Sequence, residues 1–170
     1  MAEPDKYFGK YRGTVATNVD PMQLGRIQAQ VPDVLGDAPS SWAMPALPIA
    51  GPQMGHYNIP PVGAGVWIEF EQGDKDYPVW TGCWWGSPSE VPAMALAGLP
   101  DQPNVVLQTQ GQQTIVLSDL PGGPGITLQT ATGAMLVIND TGITISNGQG
   151  ATISLVGPTV TVNEGALTVT

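Results

Sequence analysis

Few side chains in this sequence could do chemistry, and their spacing limits each one. Glu69 and Glu71 stand two apart in Val66-Trp-Ile-Glu-Phe-Glu71. On a strand, such positions share a face roughly 7 Å apart, a separation within the range of inverting glycosidase pairs. A glycosidase pair must flank the bond from opposite sides, which neighbours on one strand face cannot do. The expectation is a solvated strand face beside Asp74 and Asp76. His56 is the only histidine, with no Cys, Ser or His partner close in sequence, and reads as a polar loop residue. Cys83 is the only cysteine, which excludes an intrachain disulfide and a cysteine-based metal site. Inside a strand pattern it reads as small core filler. No metal-ligand spacing and no Gly-rich phosphate loop appears. No catalytic residue, metal site or cofactor is expected.

Tryptophan is the remaining candidate. Trp67, Trp80, Trp84 and Trp85 crowd one region. Stacking aromatics beside a basic groove would bind single-stranded nucleic acid, but the charge is wrong. The net charge is −9, and all five basic residues (Lys6, Lys10, Arg12, Arg26 and Lys75) lie at or before position 75. Phosphate contacts need Lys and Arg, so no nucleic-acid partner is expected, and anionic lipid headgroups find no attraction either. By alternation Trp80 and Trp84 share one strand face, with Cys83 and Trp85 on the other. Two readings stay open. Either Trp67, Trp80 and Trp84 form a subunit or hub interface, where Trp is enriched, or all five tryptophans are ordinary core.

The elements that must position these residues are strands. Lys10-Tyr-Arg-Gly-Thr-Val-Ala-Thr17 reads as the first, inside the span from Gly9 to Val19. Asp20-Pro21 opens a turn. In the strand that follows, Ile27, Ala29 and Val31 face one way and Arg26, Gln28 and Gln30 the other, which makes a hairpin. Residues 32–61 are Pro-rich and irregular, with Pro45 and Pro48 ruling out a regular helix. Val66, Ile68 and Phe70 alternate with Trp67, Glu69 and Glu71. Gly73-Asp-Lys-Asp76 is a charged hairpin loop, and Tyr77 to Trp85 is the closing strand. Short strands with long Pro/Gly connections predict a small antiparallel barrel over 9–86, after a tail at 1–8. Residues 87–104, with four prolines, read as a linker; its Ala-rich piece, Ala93 to Ala97, has room for one helical turn.

From about Val105 the pattern changes. Ile126/Leu128, Leu136/Ile138, Ile143/Ile145, Ile153/Leu155, Val160/Val162 and Leu167/Val169 each place two large aliphatic side chains on one strand face. Between the units fall glycines suited to sharp turns, at a spacing of seven or ten residues. Such an irregular short repeat predicts a β-helix or β-prism over 105–170. Each short strand offers only two apolar side chains and cannot form a core alone. Several copies sharing an axis would bury the stripe, most simply three, with those twelve residues as the trimer core. The alternative is a single-chain sheet packed on the N-terminal domain. The overall expectation is an all-β chain, a barrel followed by an intertwined trimeric β-helix.

Several blocks carry a resemblance. Gly9-Lys-Tyr-Arg-Gly-Thr-Val15, Asp20-Pro-Met-Gln-Leu-Gly-Arg-Ile27, Val31-Pro32, Ser41-Trp-Ala43, Pro61-Val-Gly63, Phe70-Glu-Gln-Gly-Asp74 and Tyr77-Pro-Val-Trp-Thr-Gly82 resemble, in that order, the OB-type barrel of contractile-tail spikes. This is the family of phage baseplate assembly protein V, related to the valine–glycine repeat spikes of type VI secretion. The resemblance covers about 7–86 and implies a homotrimeric central spike. Its barrels would join a baseplate hub protein at the end of the tube, and its β-helix would form the needle that transiently meets the target-cell membrane. The sequence departs from the family's pattern twice. Only a linker fills the place where some relatives carry a lysozyme domain, and no His-X-His pair stands where some carry a metal at the apex. A cell-wall hydrolase and an iron tip therefore do not transfer. The runner-up function is a receptor- or glycan-binding fibre module.

At the far end, Leu167, Thr168, Val169 and Thr170 are still in alternation. Three such ends would leave a blunt face with open edges and an apolar patch. The resemblance implies that a conical tip protein of the proline–alanine–alanine–arginine (PAAR) type sits there. No basic-then-apolar leader opens the sequence, so the expectation is assembly in the bacterial cytoplasm and a place in the baseplate of a phage tail or injection particle.

Overall fold

The computed structural model describes residues 5–169, with side chains in the terminal strand up to Leu167. It is all-β apart from a one-turn helix and short 3-10 turns, and divides into two compact units, Met1–Pro88 and Ser89–Thr170.

The first unit holds β1 (Tyr11–Thr17), β2 (Gln28–Gln30), α1 (Pro32–Leu35), β3 (Met44–Pro45), β4 (Ala50–Gly51), β5 (Met54–Gly55), β6 (Gly65–Phe70) and β7 (Pro78–Trp84). Five strands form one sheet in the order β2-β1-β6-β7-β3, and β4 pairs with β5 as a separate hairpin. The alternation read in the sequence sets the inner face. Ile27, Ala29, Val31, Val66, Ile68 and Phe70 are all buried, joined by Val15, Ala43 and Trp80. One irregularity redirects the β7 side chains. Trp67 pairs with Gly82 but Ile68 with Trp80, so Thr81 is an extra residue between them. A bulge of this kind flips the alternation beyond it.

A 3-10 turn at Pro88–Glu90 spans the boundary, and a second lies at Ala93–Ala95 in the second unit. Eight strands follow: β8 (Val105–Gln108), β9 (Thr114–Leu117), β10 (Ile126–Gln129), β11 (Met135–Asn139), β12 (Gly142–Ser146), β13 (Thr152–Val156), β14 (Thr159–Val162) and β15 (Leu167–Val169). Each pairs antiparallel with the next, giving one sheet in the order β15 to β8. The tight β11–β12 connection shows why Gly recurs. Gly142 has φ +147°, and a Cβ there would collide with the Leu155 carbonyl oxygen on the neighbouring strand.

Candidate functional site

The cross-strand registers place the aliphatic pairs of β8–β15 in two columns. One runs Val105, Leu117, Ile126, Ile138, Ile143, Leu155, Val160, Val169. The other runs Leu107, Ile115, Leu128, Leu136, Ile145, Ile153, Val162, Leu167. Nothing polar interrupts either column. All twelve residues expected in a shared core fall on this ladder, and β8 and β9 extend it with four more. Sequence reasoning did not single those four out, although Val105-Val-Leu107 and Ile115-Val-Leu117 carry the signal. Their central Val106 and Val116 are apolar too, which masks the alternation.

This face is open in the single chain. Ile126, Leu128, Ile145 and Ile153 are 40–48% exposed, and Val105 reaches 66%. Leu107, Ile115, Leu128 and Leu136 line an open trough of about 490 Å³. The opposite face, carrying Val116, Thr127, Thr144, Ser154 and Thr161, is the better satisfied one. Val116 and Thr127 are 1% and 4% exposed. The Thr127 hydroxyl donates to the Pro124 carbonyl at 3.0 Å. Ser154 and Thr161 share a 2.6 Å hydroxyl contact across β13 and β14. Among the described residues, the second unit contributes a single buried apolar side chain, Val116, while the barrel contributes nine, two of them alanines. The second unit therefore has a sheet but almost no core. Burying a half-exposed Leu or Ile gains about 1 kcal/mol, so the ladder withholds on the order of 10 kcal/mol per chain. That rivals the whole stability of a small domain, and a face of this size marks an interface.

Of the expected tip residues, Leu167, Thr168 and Val169 form β15, an edge strand of this sheet. Leu167 is 58% exposed; the side chains of Thr168 and Val169, and all of Thr170, lie outside the described residues.

On the barrel wall, the bulge separates the three tryptophans proposed as a hub contact. Trp80 points inward, is 5% exposed and donates from Nε1 to the Gly25 carbonyl at 3.1 Å. It is a core residue, and its expected place on one face with Trp84 is corrected by the extra residue Thr81. Trp67 and Trp84 stay half-buried on the outer wall, ring centroids 6.3 Å apart. The Arg12 guanidinium lies 5.7 and 5.2 Å from their centroids, within cation–π range.

The other candidates do not form a chemical site. Glu71 is not on the strand with Glu69 but opens a 3-10 turn over Glu71–Gly73, in which Gln72 has positive φ. Glu69 accepts a hydrogen bond from Lys10 Nζ at 2.6 Å, and the same ammonium donates to Thr81. His56 is exposed beside the β4–β5 hairpin. Cys83, expected in the core, is exposed; neighbouring groups still raise its pKa by partial desolvation. Among the described residues, no three His, Cys, Asp or Glu side chains gather where they could hold a metal, and no helix is long and apolar enough to cross a membrane.

Among the described residues, one carboxylate is strongly perturbed, and its role is structural. Asp20 accepts from Arg26 Nη2 at 2.6 Å and from the backbone N–H groups of Met22, Leu24 and Arg26. Arg26 foremost, then those amides, hold its carboxyl well below the usual range against an opposing effect of burial. Arg26 also lies 5.3 Å from the Trp42 ring centroid. Sequence reasoning saw only the Asp20-Pro21 turn here; Asp20 and Arg26 six residues apart were the available signal.

Comparison with known families assigns both units. Residues 11–85 match the type VI secretion system/phage-baseplate injector OB domain, and residues 104–168 match the phage baseplate V C-terminal trimerisation domain. No curated protein matches the chain.

Proposed function

The chain belongs to the phage baseplate V family, and from that premise we propose that it is the central spike of a contractile injection machine, working as a homotrimer. The observation that carries this reading is the coreless second unit. Its aliphatic ladder faces solvent in one chain and would close against two further copies around a shared axis. Eight strands at about 4.8 Å give a needle roughly 35 Å long, close to the thickness of a bilayer hydrocarbon core.

The work of such a part is mechanical. Sheath contraction supplies the force, and the needle transmits it without unfolding. Unfolding one chain of a closed trimer exposes the ladders of its neighbours, so the copies resist together. The barrels would join the hub at the tube end through the outer wall at Trp67 and Trp84. A PAAR-type cone would sit on the β15 edge, and the needle would meet the target-cell membrane only during injection. Assembly in the bacterial cytoplasm is part of the same proposal, as is the absence of enzymatic activity: Glu69 is engaged with Lys10, and Glu71 leaves the strand. The test is imaging of contractile particles made with and without this chain. Particles lacking it should have no central density below the tube. An unchanged spike density would refute the assignment.

A further inference from the structure

The second unit holds a reactive pair of residues that neither the ladder nor the barrel uses. Of the six asparagines, Asn147 alone is followed by glycine. The pair lies in the turn between β12 and β13, where residues 147–150 are exposed. Asn147 closes that turn with its side chain. Its Oδ1 accepts from the backbone N–H groups of Gln149 at 2.9 Å and Ala151 at 3.0 Å. The Gly148 N–H donates to Ser146 Oγ at 3.1 Å, which fixes the orientation of that amide. Closing such a turn calls only for an oxygen. In the β8–β9 and β10–β11 turns the Thr109 and Thr130 hydroxyls accept from the N–H four residues on, at 3.1 Å in both. A carboxamide in this place adds an electrophilic carbon that those hydroxyls lack.

We propose that Asn147 is a self-modifying site, at which the folded turn speeds loss of the side-chain amide. Hydroxide takes the Gly148 amide proton, and the nitrogen attacks Asn147 Cγ. Charge develops on Oδ1, where two N–H donors already point. Donors placed in advance stabilise such an oxyanion without rearranging as it forms. The carboxamide nitrogen then leaves as ammonia, taking the proton it needs from water and so returning the hydroxide. A five-membered succinimide remains, which water opens to aspartate or isoaspartate. Glycine at 148 leaves the attacking nitrogen unhindered by a Cβ. Asn139 lacks that feature. Its Oδ1 also accepts two bonds, from the Thr141 N–H and hydroxyl, but Asp140 follows it. The two products differ in consequence. Aspartate keeps an acceptor for both N–H groups. Isoaspartate adds a methylene to the backbone of a tightly stacked turn, where even a Cβ at Gly148 would lie 2.7 Å from the Gly133 carbonyl carbon. The reaction needs no partner, so the inference stands apart from the trimeric reading.

The test is peptide mapping by mass spectrometry of the full chain, aged at mildly alkaline pH, folded and in parallel unfolded in urea. The same Asn-Gly pair is present in both samples, so the ratio of rates isolates the turn. Asn147 should convert about tenfold faster in the folded chain than in the unfolded one, and well ahead of Asn139. An equal or slower rate in the folded chain would overturn the inference, because the two N–H groups would then only hold the amide in place. Conversion of Asn139 as fast as Asn147 in the folded chain would overturn the part given to Gly148.

Discussion

The Asp20 carboxylate does more for the barrel than any other ionised group described here. Its pKa is depressed in the fold, so its contribution is present above the ordinary carboxylate range, near pH 4, and is lost as pH falls toward the folded value. Asp20→Asn should lower the melting temperature of the barrel at pH 7 and flatten its decline between about pH 4 and pH 2. Melting curves across that window, for the variant and the parent chain, check both effects. Glu69 is the opposite case. Its partner Lys10 is half exposed, and such pairs contribute about 0–1 kcal/mol. Glu69→Gln with Glu71→Gln should therefore shift stability by less than about 1 kcal/mol and leave particle assembly and injection nearly intact. Cleavage of peptidoglycan by the parent chain that disappears in the variant would show the carboxylates to be catalytic. At this scale the sequence was least legible. Alternation put Trp80 on one face with Trp84 and read Cys83 as core filler; Trp80 is buried apart from Trp84, and Cys83 is exposed. One inserted residue at Thr81, whose Gly82 neighbour has φ +151°, separates Trp80 from Trp84. Cys83 pairs with the buried Val66, so the bulge does not account for its exposure. Gly82 inside the strand was the available signal of a bulge.

At the scale of elements, six strands of the second unit were readable because each places two aliphatic residues around a central one, which is Thr or Ser in all but β11, where it is Val137. The registers of β10–β15 align those aliphatic pairs throughout. In β8 and β9 the apolar central residues Val106 and Val116 weaken the same signal, as Val137 does in β11. The alignment makes a demand on Ile145, which pairs with Leu136 and Ile153 in mid-ladder. Ile145→Asp would bring one carboxylate per copy to the same layer, and each uncompensated buried charge costs several kcal/mol. The variant should fail to assemble while the barrel, which has its own core, still unfolds cooperatively. Thr127→Val tests the other face. Losing the hydroxyl bond to Pro124 should cost about 0.5–1.5 kcal/mol without changing the oligomeric state. Calorimetry and sedimentation of the two variants separate an assembly defect from a local one.

For the molecule as a whole, and among the described residues, a barrel with nine buried apolar residues, two of them alanines, is followed in the sequence by a unit with one. That imbalance is the central fact, since the second unit cannot be accounted for as a free-standing domain. Removing residues 159–170 takes away β14 and β15 and leaves a six-stranded sheet ending at β13. The shortened chain should still oligomerise through the remaining ladder and should no longer co-purify with a PAAR-type cone. Undiminished binding would place the cone elsewhere. The most direct measurement is sedimentation equilibrium of the intact chain at micromolar concentration. The account predicts a single species of three copies; a folded monomer with its aliphatic ladder open to water would contradict it.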